Sequence, residues 1–505
     1  MTKLGLLDRS TADELFVRSG AERQSFTRLA ISKALLTFGA MTGISGIIGL
    51  GSDHHDAVVL LAISIVSVVV GAVGRKVLVE APKPSTSKIL TGLVVTWTTL
   101  VALGTIVYMG TSAIDTVDGA LLESAAGFST TSLTVVDPSN LSTGLQIWRA
   151  ATQWFGGLLG LLIGVIALPQ ALRGSSLLGR TPGSDESAMM ARPGSGRRQV
   201  TSVYAGFTVA MVLAYAASGL SALDSVVHGL TTVSTGGFSS RADSFVAFGS
   251  ATRVVAIAGM TIAGSGYFII WWALRGRIKP LIRSSELRIY LGVIATTTAL
   301  LAMSESTLSI GDSVFTTVSA VSTTGYSVTD WTLLGDFPLT ILLVVVAMGS
   351  MAGSAGGGLR VLRVHTLMKS VTRELRLQLD PLRVMVIKNS GQTVEEKSID
   401  RISGYHIAHI FMCGAGAFLI AVFGVDVVDS IWLAVGTLSS LGPAPGVGAF
   451  GYMGDLSRWI RIILLPMMLA ARLSVLVVLL GFARIGSLKK SVIARGRRLA
   501  VAARQ

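Results

Sequence analysis

The sequence predicts an all-α membrane protein. Two leading helices precede four repeats of helix, pore loop and helix around one pseudo-fourfold pore, with ten transmembrane spans in all. Three observations carry this. Of the 505 residues, 51% are hydrophobic and only 14% are charged, and the mean hydropathy is +0.66. That is too apolar and too sparsely charged for a soluble chain of this size. Apolar runs of about 20 residues, long enough to cross a bilayer as helices, recur along the chain. Finally, four short stretches repeat one theme: Ala-Gly-Phe-Ser-Thr-Thr-Ser132-Leu, Thr-Val-Ser-Thr-Gly-Gly237-Phe-Ser, Ala-Val-Ser-Thr-Thr-Gly325-Tyr-Ser and Leu-Ser-Ser-Leu-Gly442-Pro. Ion selectivity filters are walled by backbone carbonyls, and Gly lets adjacent carbonyls turn into one pore.

The elements follow in order. Residues 1–27 are polar and charged without an apolar core, so a cytoplasmic arm is expected rather than a cleaved leader. The expected spans are 28–50, 57–74, 88–110, 144–171, 200–221, 250–274, 288–304, 337–362, 404–425 and 459–483. They group into a leading pair (28–80), repeat 1 (81–175), a cytoplasmic loop (176–199) and repeat 2 (200–280). Repeat 3 (281–365), a cytoplasmic segment (366–403), repeat 4 (404–484) and a basic tail (485–505) complete the chain. The loop 173–199, rich in Gly, Ser, Pro and Arg, reads as irregular. Residues 363–401 read as an amphipathic cytosolic segment able to meet a regulator, or as a solvated linker.

Charge placement orients the spans. Lys and Arg cluster between spans two and three, four and five, six and seven, and eight and nine, and in the tail. The opposite loops hold one basic residue, Arg241. Both termini are therefore expected on the cytoplasmic side. The net charge of +14 follows from that bias and requires no nucleic-acid partner. The outer loops are acidic, with Asp118, Glu123, Asp137, Asp224, Asp243, Asp312, Asp429 and Asp455 among them. This reads as a solvated rim or as a cation-attracting vestibule.

The turns are spaced 105, 88 and 117 residues apart, and such internal repetition is a fold-level signal. Asp224-Ser225, Asp312-Ser313 and Asp429-Ser430 each stand at the start of a short helix, with the Ser twelve residues before the Gly. Asp and Ser are N-cap residues, and the first unit starts more loosely near Asp118. Twelve residues allow roughly three helical turns. Each half-helix would aim the negative end of its dipole at the pore.

At these residues the chain resembles the Trk/Ktr/HKT superfamily of potassium and sodium transporters, and most of all its bacterial TrkH-type branch. Trp148-Arg149 through Gln153-Trp154-Phe-Gly-Gly157 and on to Pro169, Gly349 through Gly358-Leu-Arg360, and Leu469-Ala-Ala-Arg472-Leu-Ser add to the likeness. The resemblance implies a cation pathway and a homodimer with one pore per subunit. It also implies a cytosolic ring of RCK-type nucleotide-binding regulators, so that any nucleotide sits on the partner and this chain needs no covalent cofactor.

On that basis the filter comprises Thr130, Thr131, Ser132 and Leu133; Thr235, Gly236, Gly237 and Phe238; Thr323, Thr324, Gly325 and Tyr326; and Ser440, Leu441, Gly442 and Pro443. The expected cargo is K⁺. Ser132 departs from the family's usual Gly, and plant members with Ser there tend to prefer Na⁺, so a sodium-permeable relative is the alternative. The likeness places a gate in the glycine-rich run holding Gly349, Ser350, Gly353, Ser354, Gly356, Gly357 and Gly358, a sequence that makes a poor helix. Arg472 is its expected partner, since a charge inside a span seeks polar company. The family commonly has Glu two residues later, where this chain has Ser474.

The remaining candidates read as structural. Arg149 is expected to snorkel to the outer interface. His406 and His409 read as interfacial, too few for zinc, and His54-His55 as loop. The lone Cys413 reads as a buried spectator thiol. An organic-solute transporter would show inverted repeats and mid-span charges; these repeats run parallel. No Walker loop or nucleophile elbow is present, so enzyme chemistry is not expected.

Overall fold

The computed structural model describes residues 9–77, 86–164, 195–304, 308–442 and 449–479. Expectations for residues 1–8, most of the loop 173–199, Pro169, Pro443 and the tail 485–505 lie outside these.

Two helices open the chain, α1 (Arg9–Gly49) and α2 (His54–Val77). They form a hairpin that leans on the helices Thr86–Gly110 and Thr143–Leu162. Their contact is a small-residue seam: Ser32 Oγ donates to Gly71 O at 2.5 Å and Ser64 Oγ to Gly39 O at 2.6 Å. Close backbones and hydroxyl bonds are how helices associate where both sides are equally apolar. His54 and His55 start α2 rather than lying in a loop.

Four first helices follow at intervals: α3 (Thr86–Gly110), then, after further elements, α6 (Ser195–Ala217), α11 (Ser285–Met303) and α15 (Glu396–Val422). Each leads into a short helix: α4 (Val117–Ser129), α7 (Ala222–Val233), α12 (Ile310–Ser322) and α16 (Val427–Leu438). After each short helix comes a second one. These are α5 (Thr143–Leu162), the pair α8 (Ser250–Gly264) and α9 (Tyr267–Leu274), α13 (Asp336–Met348), and α17 (Arg458–Leu473).

The packing is cyclic. Each first helix lies on the short helix of its own unit. Each second helix lies on the short helix of the next: α5 on α7, α8 on α12 and α13 on α16, while α17 closes back on α4. Two ion pairs repeat this handover near the starts of the second helices. Arg253, fourth residue of α8, meets Asp312 at 3.1 Å, and Arg461, fourth residue of α17, meets Asp118 at 2.9 Å.

The caps lie three residues earlier than the Asp-Ser pairs suggested. Ser221 and Ser309 are the N-caps of α7 and α12, and Asp224 and Asp312 sit at the third helical position. Ser221 Oγ accepts from Asp224 N at 3.1 Å and donates to its Oδ2 at 2.8 Å; Ser309 and Asp312 repeat this at 3.1 and 2.7 Å. Each serine caps its helix, and the Asp at the third helical position accepts the serine hydroxyl in return.

Among the described residues, six helices are long and apolar enough to cross a membrane, or seven if the bent α8–α9 pair counts as one. The run 250–274 is not straight: the two helices meet at 101°, and Gly266 stands at φ +95° between them. The run 337–362 breaks at Gly349, and α17 ends at Ser474, whose φ is +83°. Large apolar side chains such as Ile65, Leu213, Val254, Phe411 and Phe418 face outward. On a chain of this composition they form a lipid-facing belt rather than a water-exposed surface.

After the break at Gly349, α14 (Val361–Leu379) continues to a two-stranded hairpin, β1 (Lys388–Asn389) with β2 (Gln392–Thr393), before α15. Arg373 of α14 pairs with Glu396 at the start of α15. This segment is folded rather than a plain linker. Short α10 (Ile278–Arg283) bridges α9 and α11. His406 and His409 are buried rather than interfacial, because their face of α15 turns inward, and no cluster of three or more metal-ligand side chains occurs among the described residues. Cys413 is half-buried.

Candidate functional site

The four short helices end alike. One or two residues past each helix stand Thr130, Thr235, Thr323 and Ser440, each in the left-handed region, at φ +57°, +50°, +57° and +59°. Its N–H bonds the carbonyl three residues back, at 3.2, 3.1, 3.1 and 3.1 Å. The next residue reaches five back: Thr131 N to Ala126 O, Gly236 N to Thr231 O, Thr324 N to Ser319 O and Leu441 N to Gly436 O, at 2.9, 2.8, 3.0 and 2.8 Å. This is a Schellman ending, which normally places Gly at the left-handed residue. Here a hydroxyl residue stands there in all four units, although each such residue costs about 1–2 kcal/mol.

The sequence pattern pointed to the Gly two residues later as the special position. Only Gly237 and Gly325 use that freedom, at φ +76° and +87°. Ser132 and Gly442 do not have positive φ. Ser132 therefore replaces Gly without backbone strain, and its effect must come from its side chain. That side chain projects among the other three turns. Its Oγ lies 3.5 Å from Gly325 O, and its Cβ and Oγ occupy the space that side chains on Gly237 and Gly442 would need.

All the described filter candidates are buried. Not all their carbonyls are equally available to an ion. Thr131 O and Gly236 O both accept from Gln153 Nε2, at 3.2 and 2.7 Å, and Tyr326 O accepts from Ser319 Oγ at 2.7 Å. Each of these has one of its two lone pairs committed. The Tyr326 hydroxyl bonds Thr231 and Thr232 on α7 at 2.6 and 3.1 Å, which locks turn three to the helix behind turn two.

A cavity of about 560 Å³ opens above the turns, lined by Ser132, Gly237 and Gly325 at its floor and by Asp137, Asp243 and Asp455 at its walls. Arg241 also lines it, with its guanidinium 4.8 Å from the Phe248 ring. The opposite side of the turns is covered by residues 349–360. Gly349, Gly353 and Gly358 have φ of +69°, +75° and +82°. The run passes under turns three and four. Gly357 N donates to Thr323 Oγ1 at 2.8 Å, and a Cβ on Gly357 would overlap the Ser439 carbonyl. Ser350 and Ser354 bond each other at 2.8 Å, and both accept from Arg360 Nη1.

Arg472 reaches this run. Its Nη1 donates to Ala355 O at 2.9 Å and to Thr130 Oγ1 at 3.2 Å, while Nε and Nη2 hold Gly156 O and Gly157 O at 2.8 and 2.6 Å. A side chain at Gly160 would collide with the guanidinium. One cation thus ties α5, the first turn and the covering run together through oxygen acceptors that carry no formal charge.

Four residues acquire roles that sequence reasoning did not assign. Gln153 joins turns one and two. Glu286 is buried and accepts Ala352 N at 2.7 Å, and Arg360 braces the covering run from its C-terminal end. Arg149 does not snorkel. It is buried, and its Nε meets Glu123 Oε1 at 2.6 Å. Glu123 accordingly leaves the outer acidic rim for the interior. The only sequence signals were a cation inside an apolar helix and an acid within a half-helix.

A family described as TrkH, cation transport protein, matches this chain over residues 58–303 and 288–491. The chain belongs to that family. It is a family of transporters and not of enzymes. The chain is 30% identical over 411 residues to the Trk system potassium uptake protein TrkH of Escherichia coli K12, covering 77% of this chain and 84% of that one. It is 28% identical over 375 residues to the Trk system potassium uptake protein TrkI of Halomonas elongata, covering 71% and 76%. The crystal structure of the potassium transporter TrkH from Vibrio parahaemolyticus superposes with a TM-score of 0.79 at 22% identity, over 90% of this chain and 98% of that one. The fold is thus that of a multi-pass TrkH membrane protein.

Proposed function

We propose that this chain takes up potassium across the cytoplasmic (inner) membrane through a selectivity filter built from its four turns. The observation that carries the reading is the shared Schellman geometry of the four turns, three of which line one cavity together with Asp137, Asp243, Asp455, Arg149 and Arg241. Four half-helix C-termini converging there favour a cation. Backbone carbonyls replace its water shell. The names of the curated relatives supply the ion: they are potassium uptake proteins.

In this account the chain crosses ten times, in the repeats and order given by the sequence, with both termini cytoplasmic. The run Gly349–Gly358 is the gate, with Arg472 its latch. The chain works as a homodimer, and a cytosolic RCK-type ring carries the regulatory nucleotide. The folded segment from α14 to α15 is the surface offered to it. The test is growth of a potassium-uptake-deficient bacterial strain at micromolar K⁺. Rescue by this chain, lost on substitution in the turns, is the expected result.

The position of the Ser132 side chain among three glycine-bearing turns favours a second reading, a sodium-permeable transporter. Ser132→Gly removes the Cβ and Oγ that lie among the other three turns, without altering backbone strain. It is expected to raise the K⁺/Na⁺ permeability ratio by a few-fold, measured by ion competition in proteoliposomes. An unchanged ratio would show that the serine does not set ion choice.

A further inference from the structure

We propose that a buried clamp of Gln153, Arg149 and Glu123 determines ion discrimination by fixing the first turn against the second. This rests on the reading of the turns as the ion pathway. Arg149 and Gln153 stand four residues apart on α5, and so on one face. Both are buried, as is Glu123.

Gln153 touches both turns with one amide. Its Nε2 donates to Thr131 O and Gly236 O, and its Oε1 accepts Phe238 N at 3.0 Å. A trans peptide is planar, with its N–H and C=O opposed. Holding the Phe238 N–H therefore turns the Gly237 carbonyl away from Gln153. Phe238 is gripped a second time, because the Arg149 guanidinium carbon lies 3.5 Å from its ring centre.

The ion pair spans the same seam. Arg149 Nη1 donates to Ser239 O at 3.1 Å, just past turn two. Glu123 Oε2 accepts Thr134 Oγ1 and Val135 N, both at 2.9 Å, just past turn one. The pair carries no net charge, and both its members hold main-chain groups just past the two turns.

The other described seams are held differently. Turn four meets turn one through main chain, Thr134 N to Gly451 O at 3.1 Å and Met453 N to Thr134 O at 2.7 Å. Turns two and three meet through Phe245 N to Ser327 O at 2.9 Å and through hydroxyls. The seam beside Ser132 is spanned by side chains from a neighbouring helix, so a side-chain change can move it. These three are positioning residues, acting on the ion through the carbonyls they orient.

The test compares the parent with Gln153→Leu and Glu123→Gln, each purified and reconstituted, by ⁸⁶Rb⁺ uptake under K⁺ or Na⁺ competition. Thermal unfolding is measured alongside. Expected is a fall in the K⁺-over-Na⁺ preference of about tenfold, with Rb⁺ flux retained. If Gln153→Leu does not fold, Glu123→Gln decides the matter alone: its amide has one accepting oxygen where the carboxylate uses two, so it breaks the clamp on the side of Arg149 or on the side of Thr134 and Val135. Folded variants with the parent's preference, or with no flux to either ion, overturn the proposal. Absence of flux both in the parent and in Arg472→Ala, whose gate is unlatched, overturns the pathway reading and the clamp with it.

Discussion

Gly237→Ala is expected to abolish cation flux. Gly237 sits at φ +76°, where a side chain is strained, and a Cβ there would overlap the Thr324 carbonyl oxygen of the neighbouring turn. Strain at such a position costs about 1–3 kcal/mol. The overlap is worse, because its partner is backbone and cannot rotate away. The second and third turns would have to separate. Turn three is anchored by Tyr326 to α7 and by Ser319 to its own backbone, so the separation would dismantle the filter rather than widen it. Purified Gly237→Ala in liposomes should show no Rb⁺ uptake while remaining folded. Flux at the parental rate would show that the turns are not the pathway.

Arg472→Ala is expected to raise basal flux about tenfold or more. A hydrogen bond from a charged donor contributes about 1.5–3 kcal/mol, and each 1.4 kcal/mol is about tenfold in an equilibrium. The bond to Ala355 O is the link that ties the covering run to α17. Losing it alone shifts the run by that factor toward release. The Gly156 and Gly157 carbonyls lose their donor too, but they belong to a continuous helix and are less disturbed. Arg472→Lys reaches fewer of the four acceptors and should lie between. Rb⁺ uptake without a regulator reads both. Parental flux in Arg472→Ala would place the gate elsewhere.

The four short helices and their endings were legible in the sequence because one pattern recurs there four times. The spacing of twelve residues from Ser to Gly put the short helices and their turns in register. The glycine-rich run could not be helix, and α13 stops at its first residue. What stayed hidden has particular causes. The bend at Gly266 lies inside a stretch whose average hydropathy suits a single span, and hydropathy does not register a change of direction; the only mark of it is Gly264-Ser265-Gly266. The left-handed residue fell on Thr or Ser rather than Gly, because neighbouring turns over-determine it against its own preference. Arg149 looked like an interfacial anchor because its partner is 26 residues away on another element. Gln153 carries no sequence mark of its role, since an amide inside an apolar helix means something only once the carbonyls it reaches are known.

The central claim is that four turns of one chain form a potassium-selective pathway. Its most direct test is ⁸⁶Rb⁺ uptake into liposomes holding the purified protein, with K⁺ or Na⁺ as competitor. The account expects K⁺ to suppress uptake at concentrations where Na⁺ does not. Equal suppression by both ions, or Na⁺ flux with no Rb⁺ flux, would contradict it.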